Sequence, residues 1–158
     1  MRKLLKCLLF ITIMIVCHPQ VLSAQQASAG SKDMTTEILR YVNEHRMGMG
    51  LQPLKMNDFI SQVAGKHSSN MASQKVPFSH DGFDKRVTTI NKQIKTANAW
   101  AENVAYGPRT ARAVVDMWLQ SPGHKKNIEG NYNLTGIGIA RSGNGDMYYT
   151  EIFVNSGK

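Results

Sequence analysis

The chain predicts an α+β domain. Helix-period segments come first and strand-period segments last, and the last two strands are joined by a tight turn and so pair antiparallel. No alternation of strand and helix argues for a βαβ repeat, and there is no internal repeat or low-complexity tract. The hairpin is the clearest of these signals. Leu134 to Ala140 and Met147 to Val154 flank Ser142-Gly143-Asn144-Gly145-Asp146, a cluster rich in turn formers.

The earlier elements follow in order. Met34, Ile38, Val42 and His45 recur at helical spacing, with Leu39 and Tyr41 widening the stripe. Asp33 suits the N-cap of this helix, and Gly48 and Gly50 suit its end. Leu51 to Leu54 reads as an extended link. Asn57 suits the cap of a second helix, on which Phe59, Ile60, Val63, Ala64, His67 and Met71 form one apolar stripe. A histidine on such a stripe is read as a core contact and not as a ligand. Pro77 interrupts regular structure, and Ser79 to Gly82 form a turn. Phe83, Val87 and Ile90 mark a short helix, residues 91–98 a polar loop, and Ala99 to Tyr106 a short strand. Thr110 caps a further helix through Gln120, with Ala113, Val114, Met117 and Trp118 inward. Pro122 ends it, because the residue before a proline is pushed out of the helical region. In the first hairpin strand Gly136 and Gly138 leave one face bare, where another segment can approach closely.

The N-terminus has the layout of a secretory leader. Arg2, Lys3 and Lys6 precede an apolar run from Leu8 to Cys17, and Val21-Leu22-Ser23-Ala24 supplies small residues. Residues 1–24 are expected to be a signal peptide cleaved after Ala24, with Ala27 and Ala29 as alternative sites and an uncleaved anchor as the rival reading. The apolar run is short against the roughly 20 residues of a membrane span. Residues 25–32 are small and polar and read as a flexible linker, leaving 33–158 as the folded domain and no transmembrane segment after cleavage. Both cysteines, Cys7 and Cys17, fall in the leader. The mature chain would then depend on its packed core and not on disulfides. Removing residues 1–24 takes away three positive and no negative charges, so the formal net charge falls from +8 to +5. A moderate positive charge suits anionic surfaces. The basic residues are scattered and carry no aromatic interleaving, so nucleic acid is not an expected partner. A secreted or periplasmic monomer is the expectation.

Three short segments carry the chemistry: Phe78-Ser79-His80, Trp100 to Ala105 around Glu102, and Trp118 to His124 with Ser121-Pro122-Gly123-His124. Together they supply two imidazoles and one carboxylate. If they meet, such a set can hold a divalent cation or run acid–base chemistry. It can equally lock three loops together by hydrogen bonds alone. Ser79 and Ser121 each lie near a histidine but lack the strand–turn–helix setting of a nucleophile.

In order along the chain, these segments resemble the CAP superfamily, the SCP/PR-1-like domain, in its short bacterial form. The match rests on Asn43-Glu44-His45-Arg46 with Gly50 to Leu54, on Ala64, His67, Ser68 and Met71, and on Phe78-Ser79-His80. It continues through Glu102-Asn103-Val104-Ala105, Trp118 with Ser121 to His124 and Asn127-Ile128, and the strands at Ile137-Gly138 and Tyr149 to Phe153. The resemblance implies a three-layer α-β-α sandwich with a central antiparallel sheet. It also implies a cleft in which His80, Glu102 and His124 bind ligand or metal, zinc or magnesium being the cation to expect. Many members carry a second glutamate three places after the helix tryptophan; here that position is Ser121, which weakens any mechanism built on two carboxylates. The expected function is therefore an exported domain binding a divalent cation, a small lipid or a cell-envelope ligand. Two alternatives stay open: a metal-dependent extracytoplasmic hydrolase, and a protein-interaction domain using the surface near residues 83–98.

Overall fold

The structure is a computed structural model and describes residues 19–157. The basic start and apolar run of the expected leader lie outside these residues. Among the described residues five helices and four strands follow one another: α1 (Pro19–Gly48), β1 (Lys55–Met56), α2 (Asp58–Ala72), α3 (Phe83–Gln93), β2 (Ala97–Tyr106), α4 (Ala111–Gln120), α5 (Pro122–Ile128), β3 (Leu134–Arg141) and β4 (Met147–Ser156).

The sheet order is β1-β3-β4-β2. β4 pairs antiparallel with both β3 and β2, whereas β1 pairs parallel with β3 through Lys55–Leu134 and Met56–Thr135. The sheet is thus mixed and not purely antiparallel. The parallel pair is possible because α2 and the following elements return the chain to the same edge over a long connection.

Helices cover both faces. On one side Ile38 and Val42 of α1, Val114, Val115 and Trp118 of α4 and Ile128 of α5 pack on Ala101, Ala105, Ile137, Tyr149 and Phe153. On the other, Ile60 and Ala64 of α2 and Ile90 of α3 pack on Ile152 and Val154. This is the three-layer α-β-α arrangement. Its closest approach is at the bare glycine face: a Cβ on Gly138 would lie 2.1 Å from Gly65 N, and one on Gly136 would lie 2.3 Å from the Ile60 carbonyl carbon. Only glycine lets the α2 backbone lie on β3.

The caps behave as the residues dictate. Asn57 accepts from Ile60 N at 3.1 Å and Thr110 from Ala113 N at 3.2 Å. Gly145, with φ 90°, makes the hairpin turn. Four expectations need correction. α1 begins at Pro19, so residues 25–32 are helical and Asp33 lies inside the helix. Proline is at home in a first helical turn, and the single Gly30 costs only about 1 kcal/mol against alanine, too little to break the run. The extended link Leu51 to Leu54 is followed directly by β1, a short strand where no element was expected. In α4, Ala113 is exposed and Met117 is 43% exposed, while Ala111 and Val115 point inward with Val114 and Trp118. Finally, Pro122 does more than end α4: it opens α5, where its missing N–H costs nothing.

Candidate functional site

The site lies beside β2, an edge strand of the sheet. Glu102 pairs across the ladder with Ile152, so its side chain shares the α2–α3 face. It is almost wholly buried, its side chain 1% exposed. A charge this deep needs partners, and it has two. Arg86 of α3 donates from Nε to Oε2 and from Nη2 to Oε1, both at 2.7 Å, while His80 Nδ1 lies 2.9 Å from Oε1. Burial alone would raise the Glu102 pKa; the hydrogen bonds from His80 and Arg86 outweigh it and hold the carboxyl below its ordinary value. Glu102 is therefore ionised, and His80 is the donor in their bond.

That bond sets the tautomer of His80. With the proton on Nδ1, the lone pair is on Nε2, and the ring is half exposed. The turn behind it is tightly held: Ser79 Oγ accepts from Asp81 N at 3.1 Å, and Phe83 N donates to His80 O at 3.1 Å. His67, on the buried stripe of α2, donates from Nε2 to Ser79 O at 2.9 Å, which leaves its Nδ1 to accept from Arg86 Nη1 at 3.3 Å. Burial lowers the pKa of His67, with Arg86 adding to the effect. It is a neutral structural histidine, as its place on the stripe predicts. Arg86 also donates to Asp81 O at 2.9 Å, so one guanidinium ties α2, the turn and β2 together.

The third residue arrives on α5. Asn127 Nδ2 donates to Glu102 O at 3.1 Å and Asn103 Oδ1 at 2.9 Å, and Asn103 Nδ2 donates to His124 O at 3.1 Å. These bonds seat α5 against β2 and bring the His124 ring to 6.3 Å from that of His80, centroid to centroid. Burial, then the neighbouring His80, lowers the pKa of His124. Its Nδ1 is buried without a hydrogen-bond partner. Below α5, Trp118 is fully buried and donates from Nε1 to Val104 O at 3.1 Å, fixing α4 to the same strand.

The structure thus brings His80, Glu102 and His124 together, but not as three equivalent ligands. Both carboxylate oxygens are committed to Arg86 and His80. Among the described residues no three His, Cys, Asp or Glu side chains stand where they could hold a metal ion. A three-ligand metal centre does not fit this donor set. Glu102 instead orients His80, as a carboxylate orients an imidazole in many sites. Ser121 lies between α4 and α5, where its carbonyl accepts from Lys125 N at 2.8 Å, a helix-end role. On the other side of Arg86 a groove of about 340 Å³ opens between α2 and α3, walled by Phe59, Val63, Lys66 and Lys85.

A family model for the cysteine-rich secretory protein family matches residues 39–154, from within α1 to the end of the β4 core. The chain belongs to the CAP family. The match takes in every element that builds the cleft. Among the proteins it resembles is the uncharacterized protein YkwD of Bacillus subtilis, 32% identical over 114 residues that cover 68% of this chain and 42% of that protein. The chain therefore spans less than half the length of this relative. An outer surface protein of Borrelia burgdorferi has the same fold, with a TM-score of 0.69 at 20% identity, over 80% of this chain and 96% of that one. An extracellular SCP-domain protein of Bacillus anthracis superposes with a TM-score of 0.64 at 26% identity, over 76% of this chain and 39% of that chain. No helix among the described residues of this CAP domain is long and apolar enough to cross a membrane.

Arg86 is the functional residue that sequence reasoning missed. It sits 16 positions before Glu102, a separation no helix or strand period connects. Its signal was indirect: an arginine near the start of a helix that begins just after the His80 turn.

Proposed function

We propose that this CAP domain is an exported binding module that holds a cell-envelope ligand in the cleft beside β2, without hydrolysing it. The observation that carries this reading is the state of Glu102. A carboxylate held by two charge-assisted bonds from Arg86 is a poor proton acceptor, so the cleft has no carboxylate free to act as a general base. It offers instead the outward lone pair of His80 and the neutral ring of His124, two groups suited to hydrogen-bonding a polar ligand. The extracellular and outer-surface character of structurally similar proteins supports a place outside the cytoplasm.

The test is co-sedimentation of the protein with isolated cell envelopes, beside an assay for fragments released from the same material. Retention that is lost in a His80→Ala/His124→Ala variant, with no release, supports the reading. Release of fragments that depends on His80, or retention indifferent to both imidazoles, overturns it.

A second reading has its own observation. The α2–α3 groove is apolar at Phe59 and Val63 and cationic at Lys66 and Lys85, a pattern that suits an acyl chain with an anionic head. Displacement of a fluorescent fatty acid, abolished by Val63→Asp, would favour it; no uptake by the wild-type protein would dismiss it.

A further inference from the structure

An aromatic cluster stands on the surface next to the cleft. Phe78, Tyr106 and Tyr148 come from the segment before the His80 turn, the end of β2 and the start of β4. Their ring centroids are 6.1 Å (Phe78–Tyr106), 6.4 Å (Phe78–Tyr148) and 4.9 Å (Tyr106–Tyr148) apart, at tilts of 52°, 64° and 54°. Tyr106 and Tyr148 are partners across the β2–β4 ladder. Phe78 is nonetheless 52% exposed and Tyr106 43% exposed. Rings left half in water contribute only part of the stabilisation that full burial gives. Two such rings, with the partly buried Tyr148 beside them, mark a contact surface and not a core.

Their position gives the surface a direction. Tyr106 and Glu102 are four residues apart on β2 and share a face, which separates them by about 13 Å along the strand. Phe78 precedes His80 by two residues. The rings and His80 therefore follow one line along the edge strand, with the His124 ring 6.3 Å from that of His80. Asp146 raises the pKa of the Tyr106 hydroxyl, so a carboxylate borders the rings.

A line of this kind suits an extended polymer with alternating apolar and polar sides. A pyranose has a flat face of C–H bonds that packs on an aromatic ring, and a rim of hydroxyls that reaches the phenols and the carboxylate beside them. An N-acetyl group adds an amide N–H, which the outward lone pair of His80 Nε2 can accept. We propose that Phe78, Tyr106 and Tyr148 form a sugar-stacking platform continuous with the imidazole cleft, and that the ligand is a β-1,4-linked N-acetylhexosamine glycan. The proposal rests on the reading of the cleft as a binding site and names its ligand class.

Calorimetric titration of chitohexaose into the protein tests it. The comparison is with Phe78→Leu/Tyr106→Leu, which keeps apolar bulk but removes the π faces, and with Phe78→Ala alone in case the double variant folds poorly. The expected result is saturable binding by the wild type. Affinity falls about tenfold or more in the double variant and measurably in Phe78→Ala, with unchanged circular dichroism. No binding by the wild type, or equal affinity in a folded variant, overturns the proposal. If envelopes still co-sediment in a manner dependent on His80 and His124 while chitohexaose fails to bind, the platform falls and the cleft reading stands. If chitohexaose binds through Phe78 while co-sedimentation ignores the imidazoles, the platform stands and the cleft reading falls.

Discussion

Arg86 grips Glu102 with two parallel bonds of 2.7 Å, from Nε to Oε2 and from Nη2 to Oε1. The two side chains are 12% and 1% exposed, so the pair is shielded from water. Removing one member leaves the other charge without compensation, and that loss exceeds what the pair contributes over an apolar substitute. Glu102→Gln is expected to lower stability by about 3 kcal/mol. Urea unfolding should show this, and the double change Glu102→Leu/Arg86→Met should recover most of the loss. A double variant as unstable as the sum of its singles would show that the pair does not act as a unit.

The same grip decides how the cleft treats metal. With Glu102 committed, zinc meets two imidazoles and no carboxylate. Arg86→Leu frees the carboxylate to join them and is expected to tighten zinc binding about tenfold or more. Calorimetric titration of both proteins is the measurement. Equal affinities would show that Arg86 is not what withholds the third ligand.

His124 is expected to titrate below the ordinary histidine value of 6.5, through burial first and the neighbouring His80 second. The folded state then binds fewer protons than the unfolded one, so this part of the stability is present above 6.5 and is lost as pH falls through the folded pKa. His67 is shifted in the same direction by its own burial and adds to the trend. Proton NMR of the imidazole C–H signals gives both midpoints; a His124 midpoint above 6.5 would contradict the site as described.

Glu151 predicts the opposite limb. It is fully buried on the sheet, 3.0 Å from the Thr135 hydroxyl, its other oxygen unpaired, and burial pushes its pKa up to about 8. The unfolded chain releases this proton near 4.5, so stability falls as pH rises from there toward 8, by on the order of 4 kcal/mol. Glu151→Gln should flatten the fall, as thermal melts across about pH 5 to 8 would show. An unchanged slope would mean that another group carries it.

Much of this architecture is legible from residue type. Asn57 and Thr110 cap helices because a short side-chain oxygen reaches the open N–H groups, a rule local to a few residues. Gly136 and Gly138 foretell close packing because nothing else accounts for two bare positions on one strand face. Helix faces are read less well where the stripe is short. In α4 the small Ala113 and flexible Met117 carry little preference, and the burial of Ala111 and Val115 depends on where α1 lies. What escapes is contact between distant segments. The parallel docking of β1 on β3, the Arg86–Glu102 pair and the burial of Arg46 join residues that no period connects. His80, Glu102 and His124 are found from their motif, but the role of Glu102 becomes visible only with its partners in place.

Gly138→Ala tests the helix–sheet contact directly. The added methyl would stand 2.1 Å from Gly65 N, a backbone atom that cannot turn aside. A loss of about 3 kcal/mol is expected. Gly143→Ala, in the hairpin turn with open space around it, is the control and should change little. Similar melting temperatures for the two variants would mean that α2 can lift from β3 at little cost.

Arg46 carries a consequence for the order of events during synthesis. Its guanidinium donates to the carbonyls of Gln52, Ile128, Gly130 and Tyr132, and it is 2% exposed. Three of those four acceptors lie 82 to 86 residues further along the chain. At about 5–20 residues per second, a ribosome needs several seconds to supply them after Arg46 has been made. Until then the end of α1 has no seat for its most deeply buried cation. The first helix of the domain is therefore among the last pieces to lock, and a chain cut short before Tyr132 would leave it undocked.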